Sequence, residues 1–329
     1  MPSVDVAGEF ETIRRLLAPL AHPEWGRNLL DDVAVVPSRA GYDLVLTKDS
    51  IVEGVHFLPE DPMDTVAQKL LRVNLSDLAA KGAEPFGYLL GCFWSTRCGW
   101  PEREAFAAGL KHDQTEFDVA LLGGDTVATS GPASFSLTML GWTPRGRTVG
   151  RDGARPGDVV LVTGAIGDGF LGLQAVRGML SLEPGRIRAL VDHYRTPMPR
   201  VAFAEQIRDL ATAAIDVSDG LVADLGHLAV ASGVALEIDL GTLPVSAAGL
   251  AWLDGRVDPE DARVQLATGG DDYEIAFTAR AGEEDNLRRA AERQHLRLTT
   301  IGRVVAGTGV TVRSGGRVVA VGQPGWTHG

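Results

Sequence analysis

Aspartates recur along this chain where an apolar run gives way to a turn. Asp31 and Asp32 precede the apolar Val33–Val36, and Asp49 follows Leu44-Val45-Leu46-Thr47. Asp77 sits with Asn74 and Ser76 among Val73, Leu75 and Leu78, while Asp125 follows Gly123 and Gly124. In the second half Asp216 and Asp219 flank Val217 and Ser218, and Asp271 and Asp272 follow Gly269 and Gly270. A carboxylate at the end of a buried strand is costly to desolvate unless a cation or a hydrogen bond meets it. If most of these acids converge, each pair at about 4 Å costs about 4 kcal/mol at an effective dielectric of ~20. Hard divalent cations remove that cost, and oxygen-only ligands favour Mg²⁺ over zinc. The seven histidines show no H-E-x-x-H spacing, which weakens a zinc site further.

Several Mg²⁺ ions held by aspartates beside Gly-rich turns suit a triphosphate, whose transfer needs charge neutralisation more than covalent chemistry. No G-x-x-x-x-G-K-[ST] segment occurs, nor a protein-kinase H-R-D or D-F-G set, so metals rather than a phosphate loop would cradle the anion. Plainer readings stand beside this one. Asp31-Asp32 and Gly-Gly-Asp each also read as simple turns, and Asn74, Ser76 and Asp77 as a solvated helix face, although apolar neighbours surround them.

The elements that must position these groups follow from periodicity. Residues 8–20 have helical spacing at Phe10, Ile13, Leu16, Leu17 and Leu20, and 64–80 continue a second helical pattern. Val33–Val36 reads as a strand, Leu44–Thr47 as a buried strand, and 88–94 as another. A helix over 101–113 is followed by a strand at 119–122 that ends in Gly-Gly-Asp, where backbone can approach a ligand. Residues 134–142 alternate as a strand.

The aperiodic segment 143–157, rich in Gly, Pro and Arg, marks a domain boundary. Arg151 within it either belongs to a solvated basic loop or reaches a phosphate. The strand 158–163 runs into Gly167-Asp168-Gly169-Phe170-Leu171-Gly172, a match to the dinucleotide fingerprint. No acid ends a second strand some 20 residues on, so a tight strand-to-helix turn is the better reading. A helix at 201–211 leads to the apolar strand end at 214–217, with Ser218 or Asp219 as the expected cap of a helix to about His227. Strands at 235–239, 274–277, 300–305 and 310–312 and a charged helix at 283–294 complete the pattern.

At 329 residues the chain exceeds what one core organises, and 45% hydrophobic content with 40 glycines fits an α/β protein with many tight turns. A net charge of −12 argues against nucleic acid or an anionic membrane as partner. Cys92 and Cys98 are too few for a disulfide framework and wrongly spaced for a zinc knuckle; Cys92 reads as buried and Cys98 as partly exposed. The first ten residues lack a basic and apolar leader pattern, and no run approaches a membrane span, so a cytoplasmic protein is expected.

Seven segments in register carry a resemblance: DDVAV (31–35), LTKDSIVEGVHF (46–57), NLSDLAAKGAEP (74–85), GGDT (123–126), GRDGARPGD (150–158), IDVSDGL (215–221) and GGDDYEIAF (269–277). From Gly8 to Trp326 the chain resembles the thiamine-monophosphate kinases, within the aminoimidazole ribonucleotide synthetase-like superfamily of ATP-binding proteins. The resemblance implies a two-domain α/β fold. Residues 1–150 would bind ATP and Mg²⁺ and pair their sheet across a homodimer, and residues 151–329 would close over nucleotide and substrate.

It also implies ATP-dependent phosphorylation of thiamine monophosphate to thiamine diphosphate, by direct in-line transfer with several Mg²⁺. By motif position Asp32, Thr47, Lys48, Asp49, Asp77, Asp125, Asp216 and Asp219 would line metal sites. Gly124, Asp125, Arg151 and Ser218 would contact ATP, and His56, Asp271 and Trp326 the thiamine monophosphate. A planar Arg fork suits phosphate, and Trp326 can stack on a cationic ring. No general base is assigned, since the acceptor is already a phosphate anion.

Three positions depart from the family pattern. Lys48 replaces a Thr or Ser, leaving only its carbonyl for metal; Ala107 replaces a Tyr; Asp271 replaces a Glu. Rival readings are an aminoimidazole ribonucleotide synthetase-like enzyme or a non-catalytic nucleotide or Mg²⁺ sensor. A selenophosphate synthetase would need a reactive Cys before Cys92, and the hydrogenase-maturation relative a C-terminal Cys; the sequence has neither.

Overall fold

The computed structural model describes residues 8–327. The leader reading at residues 1–7 and the chain end at His328 and Gly329 lie outside the described residues. The chain divides into two compact units, the first Met1–Leu78 with Glu84–Gly146 and the second Ala79–Ala83 with Arg147–Gly329.

In the first unit, α1 (Glu9–Thr12) continues through a π turn and a 3₁₀ turn to Leu20. Then follow β1 (Tyr42–Val52), α2 (Met63–Ala80), β2 (Glu84–Ser95), α3 (Trp100–Phe117), β3 (Ala120–Thr129) and β4 (Ser134–Pro144). The strands form one sheet in the order β1-β4-β2-β3, antiparallel except for the β2–β3 pair. On its inner face Tyr88, Leu90, Trp94, Phe135 and Leu137 are buried with Leu70, Leu71, Leu75, Phe106 and Leu110 of the helices. Trp94, Phe106 and Phe135 pack ring on ring, with centroids 4.3–5.3 Å apart. Between α2 and α3, Arg72 donates two bonds to the buried Asp113 carboxylate, at 2.7 and 2.9 Å. Gly109 permits that approach, because a Cβ there would overlap the Asp64 carbonyl.

Three expectations are corrected here. Val33–Val36 is extended loop, not strand, with Val33 and Val35 exposed. The opening strand is not buried on both faces. Residues of α2 and α3 bury only one face of the sheet, so Val45, Thr47, Asp49 and Ile51 turn inward while Leu44 and Leu46, like Leu89 and Phe93 of β2, stay exposed. Nor does Gly-Gly-Asp end its strand: β3 runs on to Thr129, with a bulge where Tyr88 pairs Leu121 and Leu89 pairs Gly123.

The second unit contains β5 (Asp158–Thr163), α4 (Asp168–Val176), α5 (Pro184–Arg195), α6 (Ala204–Leu210), β6 (Ala211–Asp216), α7 (Leu221–Ser232) and β7 (Ala235–Asp239). After these come α8 (Ala247–Asp254), α9 (Pro259–Thr268), β8 (Ile275–Arg280), α10 (Glu284–Arg293), β9 (Leu298–Val305), β10 (Gly309–Ser314) and β11 (Arg317–Val318). Seven strands order as β11-β10-β7-β9-β5-β8-β6, and only β10 and β7 run parallel. Both faces are covered. Val160, Val162, Ile215 and Ala276 pack with residues of α4, α5, α7, α8 and α9, while Leu161, Ala214, Phe277 and Ala279 pack with α6 and α10.

Candidate functional site

In the first unit the acids occupy two places. The first is a cavity of about 290 Å³ lined by Asp31, Asp32, Leu90, Gly123, Gly124 and Asp125, among others. Its glycines follow from close packing: a Cβ on Gly124 would overlap the Leu90 carbonyl oxygen. Arg27, Asn28 and Leu29 all take positive φ (49°, 53° and 55°), and this turn delivers Asp31 and Asp32 to the rim. Such backbone costs about 1–3 kcal/mol per residue and persists mainly at ligand clamps and turns. Asp31 is engaged by Arg27, whose hydrogen bond holds its carboxyl below the usual carboxylate range. Asp32 and Asp125 are exposed.

The second place is the inner face of β1 against α2. Thr47 donates its hydroxyl to Asp77 Oδ2 at 2.5 Å, and Asn74 Oδ1 accepts the Asp49 amide at 3.1 Å. Asn74 is itself fixed by donating to the Leu70 carbonyl at 2.8 Å. Burial, with the negative charge of Asp77 as the next cause, pushes Asp49 up to about 7. Two carboxylates that crowd each other out of water, beside a hydroxyl and an amide, form an oxygen donor set suited to a hard cation. Lys48 points the other way and reaches Ser136 on the outer face, so only its carbonyl is available to that set.

The two places are not one cluster. The strand register aligns Asp49 with Leu137, Leu90 and Gly124, three strand spacings or about 14 Å across the sheet. Asp125, the next residue, alternates to the opposite side of β3, between Gly124 and the buried Thr126. His56 lies half-buried in the turn after β1, its Nδ1 accepting the Val52 amide at 3.1 Å and its carbonyl the Lys69 ammonium at 3.1 Å. Ala107 is buried on α3.

In the second unit β6 ends at the buried Asp216, and residues 217–220 turn into α7. Neither Ser218 nor Asp219 caps that helix as expected. No side chain caps it; Asp224, in its first turn, instead fixes the preceding turn, its Oδ2 accepting the amides of Ser218, Asp219 and Gly220, each at 3.1 Å. Burial first, and then the charge of Asp219, push Asp224 up to about 7. Asp219, Asp224 and His227 offer ligand atoms within 4.8 Å of one another.

Two further segments hang on this turn. The amides of Asp271 and Tyr273 donate to the carbonyls of Ser218 and Val217 (2.9 and 2.8 Å), and the Trp326 amide donates to the Asp219 carbonyl at 2.9 Å. The structure thus brings Ser218, Asp219, Asp271 and Trp326 together. Arg151 is exposed on a loop beside β6, where the Gly150 carbonyl accepts the Ala214 amide at 3.0 Å. The glycine fingerprint has another role: the carboxylate of Asp272 fills the position that a pyrophosphate would take, accepting the Gly167 and Gly169 amides at 2.8–3.0 Å.

Residues 30–143 match the N-terminal domain, and residues 155–315 the C-terminal domain, of AIR synthase related protein. The thiamine-monophosphate kinase of Caulobacter vibrioides is 49% identical over 329 residues, covering 100% of this chain and 93% of the relative. The chain belongs to the thiamine-monophosphate kinase family. Among solved structures, the thiamine-monophosphate kinase of Stenotrophomonas maltophilia K279a superimposes with a TM-score of 0.79 at 39% identity, covering 88% of this chain and 91% of that one. AaThiL complexed with AMPPCP and TMP gives a TM-score of 0.74 at 33% identity, covering 93% of each chain. In this member of the thiamine-monophosphate kinase family, Asp224 is a support that the sequence reading leaves out, and Asp272, expected among the cation-binding acids, holds two backbone amides instead. Asp224 carries a readable signal, an acid in the first turn of a helix that follows Gly220. The role of Asp272 has none, because its partners lie 103 and 105 residues away.

Proposed function

We propose that this enzyme transfers the γ-phosphoryl group of ATP to thiamine monophosphate, giving ADP and thiamine diphosphate, by direct in-line displacement. One observation carries the reading most: the first unit's cavity joins a tightly packed Gly-Gly-Asp segment to a pair of carboxylates, in a chain whose family relative forms a complex with AMPPCP and TMP. Backbone that close can approach a polyphosphate without side chains in the way. Gly124 and Asp125 are assigned to ATP with Arg151 and Ser218; His56, Asp271 and Trp326 are assigned to thiamine monophosphate. Asp32, Thr47, Asp49, Asp77, Asp125, Asp216 and Asp219, with the Lys48 carbonyl, are assigned to metal.

The Asp49–Asp77 pair fits a divalent cation, since burial and mutual repulsion disfavour two bare carboxylates there. Bound Mg²⁺ would supply charge neutralisation of the polyphosphate during transfer. The chain's own part is positional. Thr47 orients the Asp77 carboxylate and Asn74 holds the Asp49 backbone amide, the Gly-Gly-Asp segment seats the nucleotide, and Asp271 and Trp326 seat the acceptor. The acceptor phosphate is already anionic, so no side chain need remove a proton.

A homodimer formed through the outer face of the first unit's sheet belongs to the same reading. Leu46 (58% exposed), Leu89, Phe93 and Val127 lie on that face, and a second copy would cover them. No helix among the described residues is long and apolar enough to cross a membrane. A cytoplasmic setting, where ATP and Mg²⁺ are at hand, fits the reading. An assay of ADP release tests the function with thiamine monophosphate, thiamine and an aminoimidazole ribonucleotide precursor as separate acceptors. Release that depends on thiamine monophosphate is expected. Nucleotide binding without release would favour a sensor, and release with the precursor alone would favour the synthetase.

A further inference from the structure

The loop that carries Asp271 is held in a conformation that its residues do not prefer. Asp271 and Tyr273 have φ of 69° and 50°, in the left-handed region where residues with a Cβ are uncommon. Between them, Asp272 is 1% exposed and spends its carboxylate on the turn that opens α4. It accepts the Gly167 amide through both oxygens (2.8 and 3.0 Å) and the Gly169 amide at 3.0 Å. His193 Nε2, buried and without a hydrogen-bond partner, faces the same carboxylate at 4.0 Å.

The flanking amides of Asp271 and Tyr273 are fixed to Ser218 and Val217, and glycines allow the close fit on every side. A Cβ on Gly169 would overlap the Asp271 carbonyl, and one on Gly270 would meet the Ser218 carbonyl at 2.5 Å. The Tyr273 hydroxyl, in turn, donates to Asp271 Oδ1 at 3.2 Å. Unusual backbone persists only where the surroundings over-determine it, and it concentrates at ligand clamps.

We propose that Asp272 is a positioning residue for the acceptor: by gripping the Gly167–Gly169 turn it holds Asp271 and Tyr273 left-handed, so that the Asp271 carboxylate meets thiamine monophosphate in one fixed direction. This rests on the assignment of Asp271 to that substrate made above. An Asn at 272 keeps one acceptor oxygen but sets an NH₂ group against a backbone amide, so the grip loosens while the size is conserved.

Steady-state kinetics of wild type and Asp272→Asn test the role. The variant is expected to raise KM for thiamine monophosphate about 10-fold, with KM for ATP within ~2-fold and kcat within ~3-fold, the pattern of lost acceptor binding. Unchanged KM for thiamine monophosphate would overturn the proposal, as would a fall in kcat alone that matches a smaller folded fraction. Should Asp272→Asn not fold, Tyr273→Phe decides, since it removes only the hydroxyl that aims Asp271. An increase in the same KM of about 3-fold is expected, and no change overturns the proposal. A wild-type protein that releases no ADP with thiamine monophosphate would instead overturn the function, and that result appears before any variant is measured.

Discussion

Asp49 couples the chemistry of the first unit to its stability. Burial raises its carboxyl to about 7 from an ordinary value of 3.8, so the folded state favours the protonated form. Stability from this group is fully present below pH ~4 and is lost as pH rises toward 7, at about 1.4 kcal/mol per pH unit. Asp224 shifts in the same direction for the same leading cause. Thermal melts in EDTA are therefore expected to show Tm falling as pH rises from 5 to 8, and millimolar Mg²⁺ should flatten that slope. A Tm that rises with pH in EDTA would contradict the burial of Asp49. At this scale the sequence exposed the acids but not their separate duties. Asp31 and Asp32 are adjacent, yet one is engaged by Arg27 and the other is left at the cavity rim. Nothing in a two-residue run distinguishes them, because the distinction comes from the left-handed turn at residues 27–29.

Among elements, strands surrounded on both faces were the most legible. β5 was expected over 158–163 and β7 over 235–239, and both have those bounds. β1 was misread because Leu44 and Leu46 looked like core, whereas they lie on the sheet's exposed face. Three helices, α5, α8 and α9, are missing from the sequence pattern. α8 is only eight residues long, and α5 is set off by a Glu183 cap and Pro184 rather than by an apolar start. One element-level contact offers a sharp stability test. Arg200, at the end of the Pro-rich 195–200 loop, pairs with Glu274 just before β8, and Thr163 donates to the same carboxylate at 2.7 Å. Glu274 is 1% exposed, so Glu274→Ala would strand a largely buried guanidinium and cost about 3–5 kcal/mol. Urea denaturation reads this as a lower midpoint; a loss below about 1 kcal/mol would show that the pair does not anchor the loop.

For the molecule as a whole, the acids divide between two units, each with buried apolar residues of its own. The outer face of the first unit's sheet should join two copies. Leu46→Glu is expected to shift sedimentation from dimer to monomer with little change in the monomer's circular dichroism, because the side chain is exposed in the single chain. An unchanged dimer would place the interface elsewhere. Metal-assisted phosphoryl transfer to thiamine monophosphate is the central proposal for the whole molecule. The direct measurement is ADP release with saturating ATP and thiamine monophosphate as Mg²⁺ is titrated, for wild type, Asp77→Asn and Asp219→Asn. Wild-type release should require both thiamine monophosphate and Mg²⁺, and each variant should lose about 10²-fold or more of the rate while keeping its fold. Near wild-type rates in either variant, or release that persists in EDTA, would contradict it.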